Sequence, residues 1–176
     1  MAMYPIATYT MAAGQTSYVD FASIPAIYED LHIRYVTRDT DSCCTTRGMF
    51  MEINQAGFTS GGQHRISTSG NGTSVSTSVS SSISNRFDWN DIPGGVATAN
   101  VFASGIIDIS NYANTAQLKT IQIKSGYVDG SGTGMLYQQA NLWPSTAAIN
   151  HLRIYSNLGF ANGSSLTLYG ITKEEL

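Results

Sequence analysis

The chain has 176 residues, of which 42% are hydrophobic and 12% charged, and its formal net charge at pH 7 is -3. This length and apolar share suffice for one domain with its own core, so folding requires neither disulfides nor a metal. The cations are few and scattered, and no apolar run approaches the ~20 residues of a membrane span, which argues against nucleic-acid binding and membrane insertion. The first cationic side chain is Arg34, so no secretory leader is predicted.

The hydrophobic pattern is mostly of period two, in short runs separated by Gly, Asn and Asp, which is typical of many short strands. It predicts strands at residues 6–10, 17–21, 31–38, 49–54, 63–69, 101–109, 118–125, 134–139, 149–156 and 165–171. About ten strands without helical signals predict an all-β fold, an antiparallel two-sheet β-sandwich that is jelly-roll-like. We expect a single domain over residues 1–176 with short terminal arms, because no break is long enough to be a linker.

In the stretch 73–84 every second residue is Ser, and the residues between them are Thr73, Val75, Thr77, Val79, Ser81 and Ile83. Because serine is a mediocre helix former and β-branched residues favour a pleated surface, we predict a further strand with one serine face. The alternative is a low-complexity flexible loop, since the turn signal at residues 69–72 opens a segment with sparse hydrophobic residues.

The cysteines and histidines do not form a recognisable metal or catalytic motif. Cys43 and Cys44 are adjacent, and neighbours rarely reach good disulfide geometry, so we predict free thiols. His32, His64 and His151 fall in separate strand-like segments without a nearby partner, which favours structural roles on polar sheet faces. We therefore predict no metal and no cofactor.

The acidic residues offer two weak alternatives. Asp39 and Asp41 could present oxygens to Ca²⁺, but the segment lacks the Gly and distal Glu of a calcium loop, which favours a turn. Glu52 and Asp108 could flank a sugar in a glycosidase only if folding brought them together. The sequence contains no nucleophile elbow, P-loop or dinucleotide-binding fingerprint, so we predict no catalytic residues and no enzyme.

The two tryptophans lie in loop-like contexts, Trp89 between Asp88 and Asn90 and Trp143 before Pro144. Exposed there, either indole could anchor a subunit contact or stack on a sugar ring. The alternative is a tryptophan that caps the core of the sandwich.

The C-terminal third carries the most distinctive order of residues: an Ala-Ile-x-x-Leu-x-Ile strand at 148–154, then Gly159-Phe160-Ala161, then Gly163-Ser164-Ser165-Leu166-Thr167-Leu168-Tyr169-Gly170-Ile171. It resembles a class of tailed-bacteriophage virion proteins in which a small β-sandwich ends in a segment like G-S-x-x-T-L-Y-G-I. The resemblance also includes five shorter segments upstream: Ile24-Pro25, Leu31-His32-Ile33-Arg34, Asp108-Ile109, Tyr112-Ala113 and Lys119-Thr120. Proteins like these serve as head decoration and as tail-fibre or receptor-binding modules.

Between these two roles we expect the first, because predicted strands fill the chain from residue 6 to residue 171 and leave little for tail attachment or a shaft. The chain is then a capsid decoration or cement protein on the outer surface of the phage head. Its partners would be the major capsid protein and, in a homotrimer, copies of itself. The alternative is a tail-fibre or receptor-binding module that takes a host glycan. The predicted interface residues are Met1, Met3, Tyr4, Trp89, Trp143, Lys173, Glu174 and Leu176.

Overall fold

The computed structural model describes residues 2–12, 18–54, 63–82, 86–129 and 132–173. Within these ranges the fold is all-β, as predicted, and no helix is long and apolar enough to cross a membrane. The strands are β1 (Ala2–Thr10), β2 (Tyr18–Phe21), β3 (Asp30–Thr37), β4 (Thr46–Ile53), β5 (Gln63–Gly70), β6 (Val75–Ser82), β7 (Phe87–Pro93), β8 (Ala103–Ile109), β9 (Lys119–Val128), β10 (Gly134–Trp143), β11 (Leu152–Ser156) and β12 (Ser165–Thr172).

The strands form two antiparallel sheets. The large sheet has eight strands in the order β1-β12-β3-β8-β9-β10-β5-β6, and the small sheet has four in the order β2-β11-β4-β7. Without the hairpins β5–β6 and β9–β10, the two orders are those of an eight-stranded jelly roll. Both hairpins add to the large sheet on the same side, so that sheet is twice as wide as its partner.

The core lies between the sheets and is built by strict alternation of side chains. Ile33, Ile107 and Ile123 occupy opposite positions on three neighbouring strands of the large sheet, and all three are fully buried. Met51 and Ile154 face them from a cross-strand pair of the small sheet. Burying each such side chain contributes about 2 kcal/mol to folding.

All the predicted strands are present, and residues 75–82 within the serine-rich stretch form strand β6 and not a loop. Strand β7 was not predicted, because its Asp, Asn and Pro residues are typical of turns. It lies at the edge of the small sheet, paired only with β4 in the described part of the chain, where such residues are tolerated.

The predictions for the N-terminal arm and for the cysteines are wrong. Residues 2–4 are not a terminal arm, because they belong to β1, where Ala2 pairs with Thr172 of β12. Cys43 and Cys44 are not free thiols, because they form a disulfide between adjacent residues. The turn that contains them is held by Asp41, whose carboxylate accepts the Cys43 N–H at 2.9 Å, and this turn brings the two sulfurs together.

Two buried cations hold the loops at the ends of the sheets. The guanidinium of Arg38 donates to the backbone carbonyls of Gly95, Ala97, Thr98 and Val101 at 2.6 to 3.1 Å. The Nζ of Lys119, fully buried, donates to the carbonyls of Asn114, Gln117 and Thr146. Burial lowers the pKa of Lys119 below its ordinary value. Each cation replaces its lost hydration with carbonyl oxygens.

Candidate binding surfaces

Trp143 does not lie in a loop, so the prediction of its loop context is wrong. It ends strand β10, is only 5% exposed and belongs to the core. Its ring lies 5.9 Å from the ammonium of Lys119. The alternation of side chains along β10 points the indole toward the core. This agrees with the alternative interpretation, in which the tryptophan caps the core of the sandwich.

The other tryptophan, Trp89, is also in a strand, where it pairs across β7 and β4 with Met49. The prediction of a loop context is wrong here too, because residues 87–93 complete the small sheet.

Of the three predicted terminal contacts that the structure describes, two are engaged within the fold. Met3 is exposed on β1, whereas the ring of Tyr4 is half-buried and stacks on Tyr28 at 6.3 Å. The ammonium of Lys173 forms an ion pair with Glu29 at 2.6 Å. Three further predicted contacts, Met1, Glu174 and Leu176, lie outside the described residues.

The histidines that the structure describes pair with carboxylates on the two outer faces of the sandwich. His32 Nδ1 lies 2.5 Å from Asp108 on the large sheet, and His151 Nε2 lies 3.1 Å from Asp20 on the small sheet. The side chain of His64 lies outside the described part.

The carboxylates of Glu52 and Asp108 cannot flank one sugar. Both neighbours of Glu52 in β4 are buried and so are both neighbours of Asp108 in β8, so each carboxylate points away from the core. They lie on opposite outer faces of the sandwich. This placement removes them as a glycosidase pair.

The segment with Asp39 and Asp41 is a turn. Asp39 is fully buried, and its carboxylate accepts the N–H of Asp41 at 2.5 Å. Asp41 forms an ion pair with Arg47. In the described ranges no group of three or more His, Cys, Asp or Glu side chains is placed to hold a metal.

The outer face of the small sheet carries charges that neutralise one another. Arg153 donates two hydrogen bonds to the carboxylate of Asp20, at 2.8 and 3.0 Å, and its guanidinium lies 4.4 Å from the ring centre of Tyr18. The hydrogen bond from Arg153 holds the pKa of Asp20 below its ordinary value. Tyr155 donates to Glu52 at 3.0 Å. The side chains named here therefore form a network of paired groups.

The outer face of the large sheet is different, because a groove runs across it. The groove has a volume of about 1140 Å³. One cross-strand row forms its floor, with one residue from each of β3, β8, β9, β10 and β5: Arg34, Ile106, Lys124, Gln138 and Thr68. We call this feature the sheet groove.

The two cations of the sheet groove lack acidic partners. None of the ion pairs found in the described residues involves Arg34 or Lys124, and no Asp or Glu lines the groove. The nearby Asp108 is bound to His32. The groove therefore has a local positive charge although the chain as a whole is acidic.

A second feature of this face is the β5–β6 hairpin at its far edge. Val75 and Val79 of β6 are 74% and 77% exposed, and Leu136 of the adjoining β10 is 70% exposed. Strand β6 has no charged residue and no proline, the devices that usually protect an edge strand. Exposed valines beside a charge-free edge are typical of an interaction surface.

Comparison with known proteins found no matching family model, no matching curated protein and no matching solved structure. The candidate surfaces therefore stand on their own geometry. Sequence reasoning missed the sheet groove because its residues come from five strands far apart in the chain. Only the correct pairing of these strands would have revealed it.

Proposed function

We propose that this protein is a structural protein of a tailed-bacteriophage particle, with capsid decoration as its role and no catalytic activity. The sequence support is the C-terminal segment that resembles phage virion proteins, which forms β12 and the turn before it. The structural support is the jelly-roll strand order, an architecture that viral capsid proteins use widely, although architecture alone does not assign function.

The observation that carries the proposal is the exposed β5–β6 hairpin. Its valines are left in solvent, which costs free energy unless a partner covers them. Because β6 is uncharged, contact with a capsid subunit would be apolar and hydrogen-bonded and would depend weakly on salt.

The proposed mechanism is a bridge between neighbouring subunits of the major capsid protein. Copies of this chain, associated as a homotrimer, would match the threefold and quasi-threefold positions of a capsid lattice. Each trimer would then hold several capsid subunits at once, so that weak single contacts add up to firm attachment. The added contacts oppose the outward pressure of packaged DNA.

The number of copies per particle tests the location. Quantitative mass spectrometry or imaging of the intact particle should find hundreds of copies on the head. A few to a few dozen copies at the tail would instead support the receptor-binding alternative. That alternative is favoured by the sheet groove, whose amide and hydroxyl groups suit a host glycan.

A variant tests the contact itself. The double substitution Val75→Ser and Val79→Ser should reduce binding to undecorated heads at least tenfold, because it removes the apolar contact without adding charge. The matched control is Val36→Ser, which removes an exposed valine from the same sheet face outside the hairpin. Equal binding by both variants would show that the hairpin is not the contact.

A further inference from the structure

We propose that the sheet groove is a binding site for a linear polysaccharide that carries carboxylate groups. The groove is a feature of the fold itself, so this binding would not depend on whether the protein is part of a phage head, a tail or another assembly. Neither the resemblance to virion proteins nor the paired network of the small sheet enters it.

The charge of the groove selects an anion. Arg34 and Lys124 project from the same cross-strand row with β8 between their strands, so their backbones are about 10 Å apart. Both side chains are exposed and neither is neutralised by an acid in the described residues. Two cations at this spacing suit charges that repeat along an extended polymer.

The neutral lining suits hydroxyl groups. Gln122 and Gln138 offer amides, and Ser104 and Thr68 offer hydroxyls, so each can both donate and accept hydrogen bonds. A sugar ring presents hydroxyls that need both kinds of partner. An apolar ligand would leave these groups unpaired at a cost in free energy.

The shape of the floor admits a polymer that lies across the strands. In the row beside the two cations, the outward positions at Gly126 and Gly70 carry no side chain and flank Leu136 on either side. A methyl group at Gly126 would come within 2.9 Å of the Leu136 side chain. Gly126 lies outside the lining of the groove, whereas Gly70 belongs to it and leaves its own position on the floor without a side chain.

A polysaccharide fits this site better than an acidic peptide. Peptides commonly bind sheets by adding a strand at an exposed edge. The floor strands β3, β8, β9, β10 and β5 each have a neighbour on both sides, so the groove offers side chains and no free strand edge. Recognition here must come from side chains, as it does for sugars.

The experiment measures affinity for three polymers at low ionic strength by calorimetric titration of the full chain. Polygalacturonate supplies carboxylates on a sugar backbone, dextran supplies the sugars without charge, and polyglutamate supplies carboxylates on a peptide. We expect polygalacturonate to bind most tightly, with affinity that falls as salt rises above ~0.1 M, where the screening length is about 10 Å.

Variants assign the binding to the groove. Arg34→Gln and Lys124→Gln should each weaken polygalacturonate binding about fivefold, and the double variant about 25-fold. Lys173→Gln makes the same change of charge on a different side chain, outside the groove, and should bind like the unaltered protein. Unchanged affinity of the double variant, equal binding of dextran, or no binding of polygalacturonate would overturn the proposal. Equal or tighter binding of polyglutamate would overturn it in favour of an acidic peptide.

Discussion

Arg38 shows how one side chain can organise a loop that has little regular structure. Its guanidinium is buried and satisfies four backbone carbonyls of residues 95–101. Arginine suits this role because its donors form a rigid planar fork and it keeps its charge. The loop it holds closes one end of the sandwich, between β7 and β8.

We predict that Arg38→Met lowers the free energy of unfolding by about 3 kcal/mol, because four carbonyls lose a charged donor. Denaturant unfolding measures this loss. Arg34→Met is the matched control, and because Arg34 is exposed its change should stay within about 0.5 kcal/mol. Similar losses for the two variants would mean that the buried hydrogen bonds contribute no more than surface contacts.

The ion pair of Asp20 and Arg153 makes the free energy of unfolding depend on pH in the acidic range. The hydrogen bond from Arg153 lowers the pKa of Asp20 in the folded protein below its ordinary value of 3.8, so the folded state binds the proton less readily than the unfolded state. The stabilisation is therefore complete above pH 3.8 and is lost as the pH falls through the folded pKa.

We predict that Asp20→Asn flattens the decline of stability between about pH 4 and pH 2, while it lowers stability at pH 7. Thermal unfolding across this pH range measures both effects. Arg153→Gln should flatten the same region, because it removes the partner that shifts the pKa. A slope that is unchanged in both variants would contradict the assignment. Because Asp20 is partly exposed, we expect its ion pair to contribute less than 1 kcal/mol to the free energy of unfolding.

At the scale of single elements, strand β12 shows why its sequence pattern contains a glycine. The ring of Tyr28 lies across Gly170, and a Cβ at that position would come within 2.2 Å of the ring. The small residue lets a loop aromatic cover the end of the strand. This gives a packing reason for one residue of the segment that resembles virion proteins.

We predict that Gly170→Ala costs about 1 to 3 kcal/mol, because the tyrosine must leave its place. The cost should shrink when Tyr28→Ala is combined with it, and a double-mutant cycle in denaturant measures that coupling. Gly134→Ala serves as control, since a Cβ there meets no atom within 4 Å. Additive effects of the two substitutions would show that the close approach does not limit the strand.

The elements also show how far the sequence could be interpreted. Period-two patterns identified every described strand except β7. Its Asp88 and Pro93 are residue types common in turns, and they are tolerated in β7 because it is an edge strand. Local patterns also placed Trp143 in a loop, because Pro144 follows it. Local patterns do not show strand pairing. The sheet groove exists because Arg34 and Lys124 flank the same strand, β8, although they stand 90 positions apart in the sequence.

At the scale of the whole molecule, the jelly roll and its two added hairpins are separable in principle. Strands β4 and β7 flank the β5–β6 insertion and pair with each other, with Met51 opposite Phe87. The eight strands of the jelly roll would keep all their neighbours without β5 and β6. The hairpin therefore contributes to binding in our proposal and little to the central core.

We predict that deleting residues 55–85 and joining Asn54 to Arg86 through Gly-Ser leaves a folded protein that no longer attaches to capsids. Circular dichroism and the cooperativity of unfolding report the fold, and co-sedimentation with heads reports attachment. A control deletion of residues 130–131, which lie between β9 and β10 in the sequence, should keep attachment. Loss of cooperative unfolding in the first variant would show that the hairpin is part of the folding unit.

The pairing of β1 with β12 has one more consequence. Because Ala2 stands opposite Thr172, the first and last strands are neighbours, and these two residues lie side by side at one edge of the large sheet. A short peptide could splice these positions, and new termini could open at the turn of residues 71–74, where the Asn71 side chain accepts the N–H groups of Thr73 and Ser74. Such a circular permutant would keep every strand pair and carry its ends on the β5–β6 hairpin.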